Sequence, residues 1–246
     1  MVSLEKIAVL IDSDNTQLSK LESVLREIST HGRIIVKKAY GNWKKDTLKK
    51  WENEIKRLAI KAEQQFDYTA GKNATDMALV IDAIEMKHSA VYDGFVIVAS
   101  DSDYTPLAIK LHETGLYVMG VGEKKTPESF RNACDEFIYL ENLSSENNEA
   151  PKPRKAANSA GKSDDENIEV IHRLLKFASD TYQDDDGFLY VSSAGSFIKR
   201  TKPDFDVRTY GYKKLTDFLR AYPKRYEIKN NESKGTEVNI MSYRCL

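Results

Sequence analysis

VLIDSDNT, residues 9–16, is an apolar run that ends abruptly on acids. Ile7 to Ile11 are all apolar, the pattern of a strand covered on both faces rather than one that alternates between core and water. Asp12, Ser13, Asp14 and Asn15 follow at once, so the strand delivers carboxylates to its carboxyl end. A second stretch repeats the arrangement: Phe95 to Ala99 run into Ser100, Asp101, Ser102 and Asp103.

Between and around these runs, helical and strand patterns alternate. Leu18, Leu21, Leu25 and Ile28 make one helical stripe, Leu48, Trp51, Ile55, Leu58 and Ala62 a second, and Met77, Val80, Ile81 and Ile84 a third. Further strands are predicted at Ile34 to Tyr40, Phe66 to Thr69, Leu116 to Val121 and Phe137 to Tyr139. Strands separated by helices of this length predict an α/β fold, an open, mainly parallel sheet with helices on both faces and right-handed crossovers. In such sheets ligands bind beyond the carboxyl ends of the strands, where the strand order reverses. A third acid, Asp76, belongs to the same edge, because it follows the loop AGKNAT at the first turn of the third helix.

Acids crowded at one edge repel one another and raise each other's pKa unless a cation compensates them. An all-oxygen set of Asp and Asn, with no His or Cys beside it, favours magnesium or manganese. Such ions activate water and stabilise the leaving oxygen of a phosphodiester. Singly, each acid is equally a helix N-cap; three together on strand tips point to a metal site, with Asp12, Asp76 and Asp101 as ligands. Asp82, six residues beyond Asp76, faces another direction and is read as structural. VLIDSDNT also fits the hhhhDxDxT pattern of haloacid dehalogenase-like phosphatases, with Asp12 as nucleophile and Asp14 as acid/base. The chain after Thr16 enters a helix with no room for that family's flap, so this stays a minor alternative.

The segments VLIDSDN, GKNATDMALVIDA, VIVASDSDYTPL and GLYVMGVGEKKTPESFRNACDEFIYL together resemble the NYN domain, a PIN-like nuclease family, over nearly all of residues 4–143. The resemblance implies a Rossmannoid sheet and a magnesium-dependent ribonuclease centre built from Asp12, Asn15, Asp76, Asp101 and Asp103. In the same reading Ser100 would touch phosphate, and Lys72, by its place beside the edge, either holds a substrate phosphate or is an ordinary solvated loop lysine. Tyr40 and Trp43 follow the second strand, where a ring either stacks on an unpaired base or simply covers the next helix. Lys44, Lys45, Lys49 and Lys50 form a basic run near the same edge, or a solvated helix face.

After residue 143 the composition changes. SSENNEAPKPRKAANSAGKSDD, residues 144–165, has two prolines and no large apolar residue, and reads as a flexible linker. Residues 166–246 predict a helix through Ile168, Ile171, Leu174, Leu175 and Ala178, a second helix between Ser192 and Pro203, a third over Tyr210 to Ala221, and a hairpin of Tyr226 to Lys229 with Val238 to Met241. Three helices and a hairpin make a small winged helix-turn-helix. YGYKKLTDFLRAYPKRYEI resembles the OST-HTH/LOTUS domain, which implies RNA binding and, in some members, protein partners. Lys213 and Lys214 are its candidate RNA contacts.

The chain has 246 residues, with 37 basic against 38 acidic, which admits one or two domains. The first part, residues 1–143, holds 19 basic and 22 acidic groups, the last part, 166–246, 14 and 12. That asymmetry is too small to announce a nucleic-acid tail. No apolar stretch approaches the roughly 20 residues of a membrane span. The start of the chain lacks the length and cleavage site of a signal peptide, so the expected setting is cytoplasmic. Cys134 and Cys245 show no zinc-binding spacing. The function read from sequence is a metal-dependent endoribonuclease with a tethered RNA-binding module, its metal Mg2+ or Mn2+; the alternative is a catalytically degenerate RNA-binding or adaptor protein.

Overall fold

The computed structural model describes residues 4–68, 73–143, 162–232 and 239–246. The chain divides into two compact units, Met1–Asn147 and Asn148–Leu246. The first is a six-stranded parallel sheet of β1 (Leu4–Asp12), β2 (Gly32–Gly41), β3 (Lys61–Gln64), β4 (Gly94–Val98), β5 (Tyr117–Gly122) and β6 (Glu136–Tyr139). Its order is β3-β2-β1-β4-β5-β6, so the order reverses between β1 and β4. That reversal sets the acid-bearing tips of those two strands side by side.

The continuous apolar runs follow from two layers of helices. Ile7, Val9, Ile11, Val96 and Val98 face one core with α1 (Leu21–Ser29) and α2 (Trp51–Arg57). Ala8, Leu10, Phe95 and Ile97 face the other with α3 (Ala74–His88) and α4 (Thr105–His112). A short α5 (Glu128–Asn132) brings Phe130 into this second core.

Three elements of this unit differ from their sequence patterns. The strand predicted at Phe66 to Thr69 lies earlier, at Lys61–Gln64; as an edge strand it is largely solvated and shows no apolar alternation, while Thr69 falls outside the described residues. The second helix stops at Arg57 because Ala59 takes a left-handed backbone, φ 50°, and Ala62 belongs to β3. On α3 the buried face is Thr75, Leu79, Ala83 and Met86, whereas Met77 and Ile81 of the predicted stripe stand in solvent.

The second unit contains α6 (Lys162–Tyr182), β7 (Leu189–Tyr190), α7 (Val191–Thr201), α8 (Leu215–Ala221), β8 (Tyr226–Glu232) and β9 (Asn239–Cys245). Its small antiparallel sheet has the order β7-β9-β8. Ile171, Leu175, Ala178, Ala194, Ile198, Phe218, Leu219 and Tyr243 form the core. The helix predicted from Tyr210 is broken: a 3-10 turn at Val207–Tyr210 closes on Gly211, φ 83°, before α8 begins. Of the expected linker, 144–161 lies outside the described residues, and helix α6 already covers its last four positions. No described helix is long and apolar enough to cross a membrane.

Candidate active site

The tip of β1 is tied into a tight turn by Asp12. Its Oδ1 accepts from the backbone N–H of Asp14 at 3.0 Å and of Asn15 at 3.3 Å, and its Oδ2 accepts from Asn15 Nδ2 at 2.8 Å. Asn15 therefore holds the carboxylate in one orientation. Asp12 is fully buried, and burial, reinforced by the Asp76 charge and opposed by the Asn15 bond, pushes its carboxyl up to about 6.

Asp76 arrives from the first turn of α3. The Tyr104 hydroxyl joins it to β1, lying 2.7 Å from Asp76 Oδ1 and 3.1 Å from Asp12 Oδ2. A hydroxyl has one proton, so it cannot donate fully to both acids at once. Partial burial raises the Asp76 pKa first, the Tyr104 bond opposes this, and repulsion from Asp101, Asp103 and Asp14 raises it further. Burial and the Asp12 charge together hold the Tyr104 phenol far above its ordinary value.

At the tip of β4, Asp101 caps the 3-10 turn Ser102–Tyr104, its Oδ1 accepting from the Asp103 N–H at 3.0 Å. Asp103 Oδ2 accepts from Asn73 Nδ2 at 2.7 Å, which closes the start of α3 onto this turn. Asp14 accepts from Thr75 Oγ1 at 3.3 Å and from Lys45 Nζ at 3.4 Å. Among the described residues, Lys45 is the cation paired with these acids, through Asp14. Among those residues no three carboxylate, histidine or cysteine groups close on one point; Asp12 and Asp76 instead share the Tyr104 hydroxyl.

A cleft of about 520 Å³ opens beside them, lined by Asp14, Asn15, Thr16, Gln17, Ser100, Asp101, Ser102, Glu123, Lys125 and Pro127. Ser100 Oγ accepts from the Glu123 N–H at 3.0 Å, which leaves the hydroxyl proton for another acceptor. Lys125 is paired with Glu123 at 2.6 Å.

The remaining candidates fall elsewhere. Tyr40 is 1% exposed and its hydroxyl donates to Asp82, so its ring presents no face to a base; it belongs to the α3-side core. Asp82 also pairs with Lys38 at 2.6 Å. Trp43 packs against Trp51, ring centres 6.1 Å apart, and donates Nε1–H to the Glu63 carbonyl at 3.0 Å, which makes it a cover for α2. Lys72 lies outside the described residues. Of the basic run, Lys45 is committed to Asp14 and Asp67, and Lys49 to Asp46 at 2.7 Å. In the second unit, Lys213 and Lys214 are exposed just ahead of α8. Tyr104 was not among the candidates, although its position three residues after Asp101 places it at the end of the turn that Asp101 caps.

A family model described as the NYN domain matches residues 6–141, and one described as the OST-HTH/LOTUS domain matches residues 162–238. No curated protein matches the chain. Among solved structures it is similar to a protein of unknown function from Vibrio parahaemolyticus RIMD 2210633, at 17% identity over 56% of this chain and 94% of that one, with a TM-score of 0.46. It is also similar to an uncharacterized protein from Nitrosomonas europaea, at 23% identity over 42% of this chain and 92% of that one, with a TM-score of 0.30.

Proposed function

Because this chain belongs to the NYN domain family and carries an OST-HTH/LOTUS domain behind it, we propose that it is a divalent-metal-dependent endoribonuclease with a tethered RNA-binding module. The observation that carries the reading is the pair Asp12 and Asp76, brought from different elements onto one tyrosine hydroxyl beside Asp101 and Asp103, with both carboxyls held above their ordinary range.

The donor set fits a hard divalent cation in chemistry and in charge. It is all oxygen, and of its acids only Asp14 has a lysine partner among the described residues. Asp12, Asp76 and Asp101 would hold the ion; since they do not meet at one point without it, their side chains would have to draw together to do so. When bound, such an ion neutralises phosphate charge and makes a water more acidic. Asn15 fixes the Asp12 carboxylate, and Asp103, held by Asn73, would orient the attacking water. Ser100, whose hydroxyl proton is not used by its bond to the Glu123 N–H, would donate to a phosphate oxygen. Residues 1–143 are the catalytic part, 144–165 the tether, and 166–246 the module that raises the local RNA concentration through Lys213 and Lys214. The setting is cytoplasmic.

The test is cleavage of end-labelled RNA by the full chain with and without magnesium or manganese, alongside calorimetric metal binding. Asp12→Asn and Asp76→Asn should each reduce cleavage by more than about a hundredfold, beyond what loss of an outer-shell partner costs, and should weaken metal binding. Metal-independent cleavage that survives both substitutions would overturn the reading.

A further inference from the structure

Two aromatic rings stand in solvent beside the acidic edge. Phe66 is 50% exposed and Tyr68 87%, whereas the other phenylalanines of this unit, Phe95, Phe130 and Phe137, are at most 1% exposed. A ring left in water gives up the burial that its three counterparts obtain.

The segment that carries these rings is fastened to the tips of β2 and β1. The Gln65 N–H donates to the Gly41 carbonyl at 3.0 Å, and Gln64 bonds both the Trp43 N–H and the Asn42 side chain at 3.1 Å. Asp67, between the two rings, accepts from Asn42 Nδ2 at 3.1 Å and pairs with Lys45 at 3.3 Å. Since Lys45 also reaches Asp14, one lysine joins the ring-bearing segment to the strand tip that holds Asp12. Lys44 lies with its Nζ 5.1 Å from the centre of the Phe66 ring.

We infer that Phe66 and Tyr68, with Lys44, are a stacking platform for unpaired bases of an RNA strand whose backbone continues to the acidic edge. The inference rests on the ribonuclease reading and narrows its substrate to RNA that is single-stranded beside the site. Every base offers a flat face to an aromatic ring, and a cation next to that ring serves the phosphate of the same nucleotide. An RNA duplex keeps its bases stacked inside, so the platform discriminates against it. The charge beside the rings and their link to the cleft favour RNA over a peptide.

The experiment measures binding of the full chain, in EDTA so that nothing is hydrolysed, to three fluorescent ligands: a short unstructured RNA, the same oligomer with abasic sites throughout, and a duplex. Phe66→Ala with Tyr68→Ala should weaken binding of the unstructured RNA by about fivefold or more per ring, as loss of base stacking does. Binding of the abasic oligomer and the duplex should stay unchanged, and Phe66→Trp with Tyr68→Trp should restore affinity. Equal affinity of wild type and the alanine variant would overturn the platform and leave the rings to a protein partner. An equal loss on the abasic oligomer would also overturn it.

Repeating the comparison with magnesium or manganese separates this inference from the nuclease reading. Base-dependent loss of binding without any cleavage by the wild type sinks the nuclease and keeps the platform. Cleavage by the wild type, with KM raised in the alanine variant, supports both. Cleavage with KM and binding unchanged removes the platform alone.

Discussion

The two ends of the parallel sheet both carry acids, and they treat them differently. At the amino end Asp93 Oδ2 accepts from the backbone N–H groups of Glu5 at 3.0 Å and Lys6 at 2.9 Å. Asp135 Oδ2 accepts from the Val118 N–H at 2.8 Å and lies 3.4 Å from His112. Glu136 Oε2 accepts from Tyr117 at 3.0 Å and faces His31 at 3.2 Å. Each of these acids fastens a strand start. At the carboxyl end Asp12 and Asp76 share one hydroxyl, and Asp101 and Asp103 stand near enough to raise Asp76 further. Acids at both ends accept hydrogen bonds, but those at the carboxyl end also crowd one another, and among the described residues only Asp14 of that group has a lysine partner; that uncompensated charge is what the proposed cation would offset.

That contrast has its largest expected effect in the stability of the metal-free protein. The Asp12 carboxyl is raised from 3.8 to about 6, so the folded state keeps its proton where the unfolded chain has already lost it. The stability present below about pH 4 is therefore lost as pH rises to about 6, and does not return above it. Two pH units at about 1.4 kcal/mol each amount to up to about 3 kcal/mol. In EDTA, Asp12→Asn should raise stability at pH 7 relative to pH 4 by that order, read from urea midpoints at the two pH values. Divalent affinity of the wild type should in turn increase as pH rises through about 6, because the ion displaces the proton. A destabilised Asp12→Asn protein, with no change in pH profile, would place Asp12 with the structural acids and erase the difference between the ends.

The opposite end supplies the counterpart, with a smaller effect and the reverse sign. Glu136→Ala removes an acceptor from the Tyr117 hydroxyl in a buried setting, which costs about 1–3 kcal/mol. The proposed RNA cleavage, measured under conditions where the variant is still folded, should not change. A stable Glu136→Ala protein that cleaves poorly would mean that the two ends are coupled.

These differences also explain what the sequence disclosed. β1 and β4 were legible because both faces of each are covered, so five consecutive apolar residues left no ambiguity. β3 was hidden because an edge strand of Lys61, Ala62, Glu63 and Gln64 has little to bury, and the neighbouring rings of Phe66 and Tyr68 imitated a strand while standing in solvent. The α3 stripe was misassigned because small residues, Thr75 and Ala83, sit against the sheet where larger ones were expected. Asp12 and Asp101 stood out because abrupt acids after apolar runs are visible in one dimension, and Asp76 because it opens a helix after the loop AGKNAT. Tyr104 could not: a tyrosine entering a helix reads as core, and only the reversal of strand order brings its hydroxyl between two acids. Tyr40 erred the other way, since its strand parity, one step from Ala39, turns it into the α3-side core.

The smallest effect extends the comparison of matched and unmatched charge to the second unit. There Arg225 pairs with Glu169 at 3.0 Å and Arg244 with Glu227 at 2.5 Å. Lys213 and Lys214 are exposed before α8 and have no ion pair among the described residues. If these two lysines meet phosphates of single-stranded RNA, each contact contributes about 0.7 to the slope of log affinity against log salt. Lys213→Glu with Lys214→Glu should thus lower affinity at low salt and flatten the slope by about 1.4, while Arg225→Ala, which breaks a matched pair, should leave the slope unchanged. The ratio of the two slopes is the measurement, taken on the full chain in EDTA. Equal slopes for the wild type and the lysine variant would return both lysines to the solvated surface, and would shift the RNA contacts of the chain to the acidic edge and its aromatic neighbours.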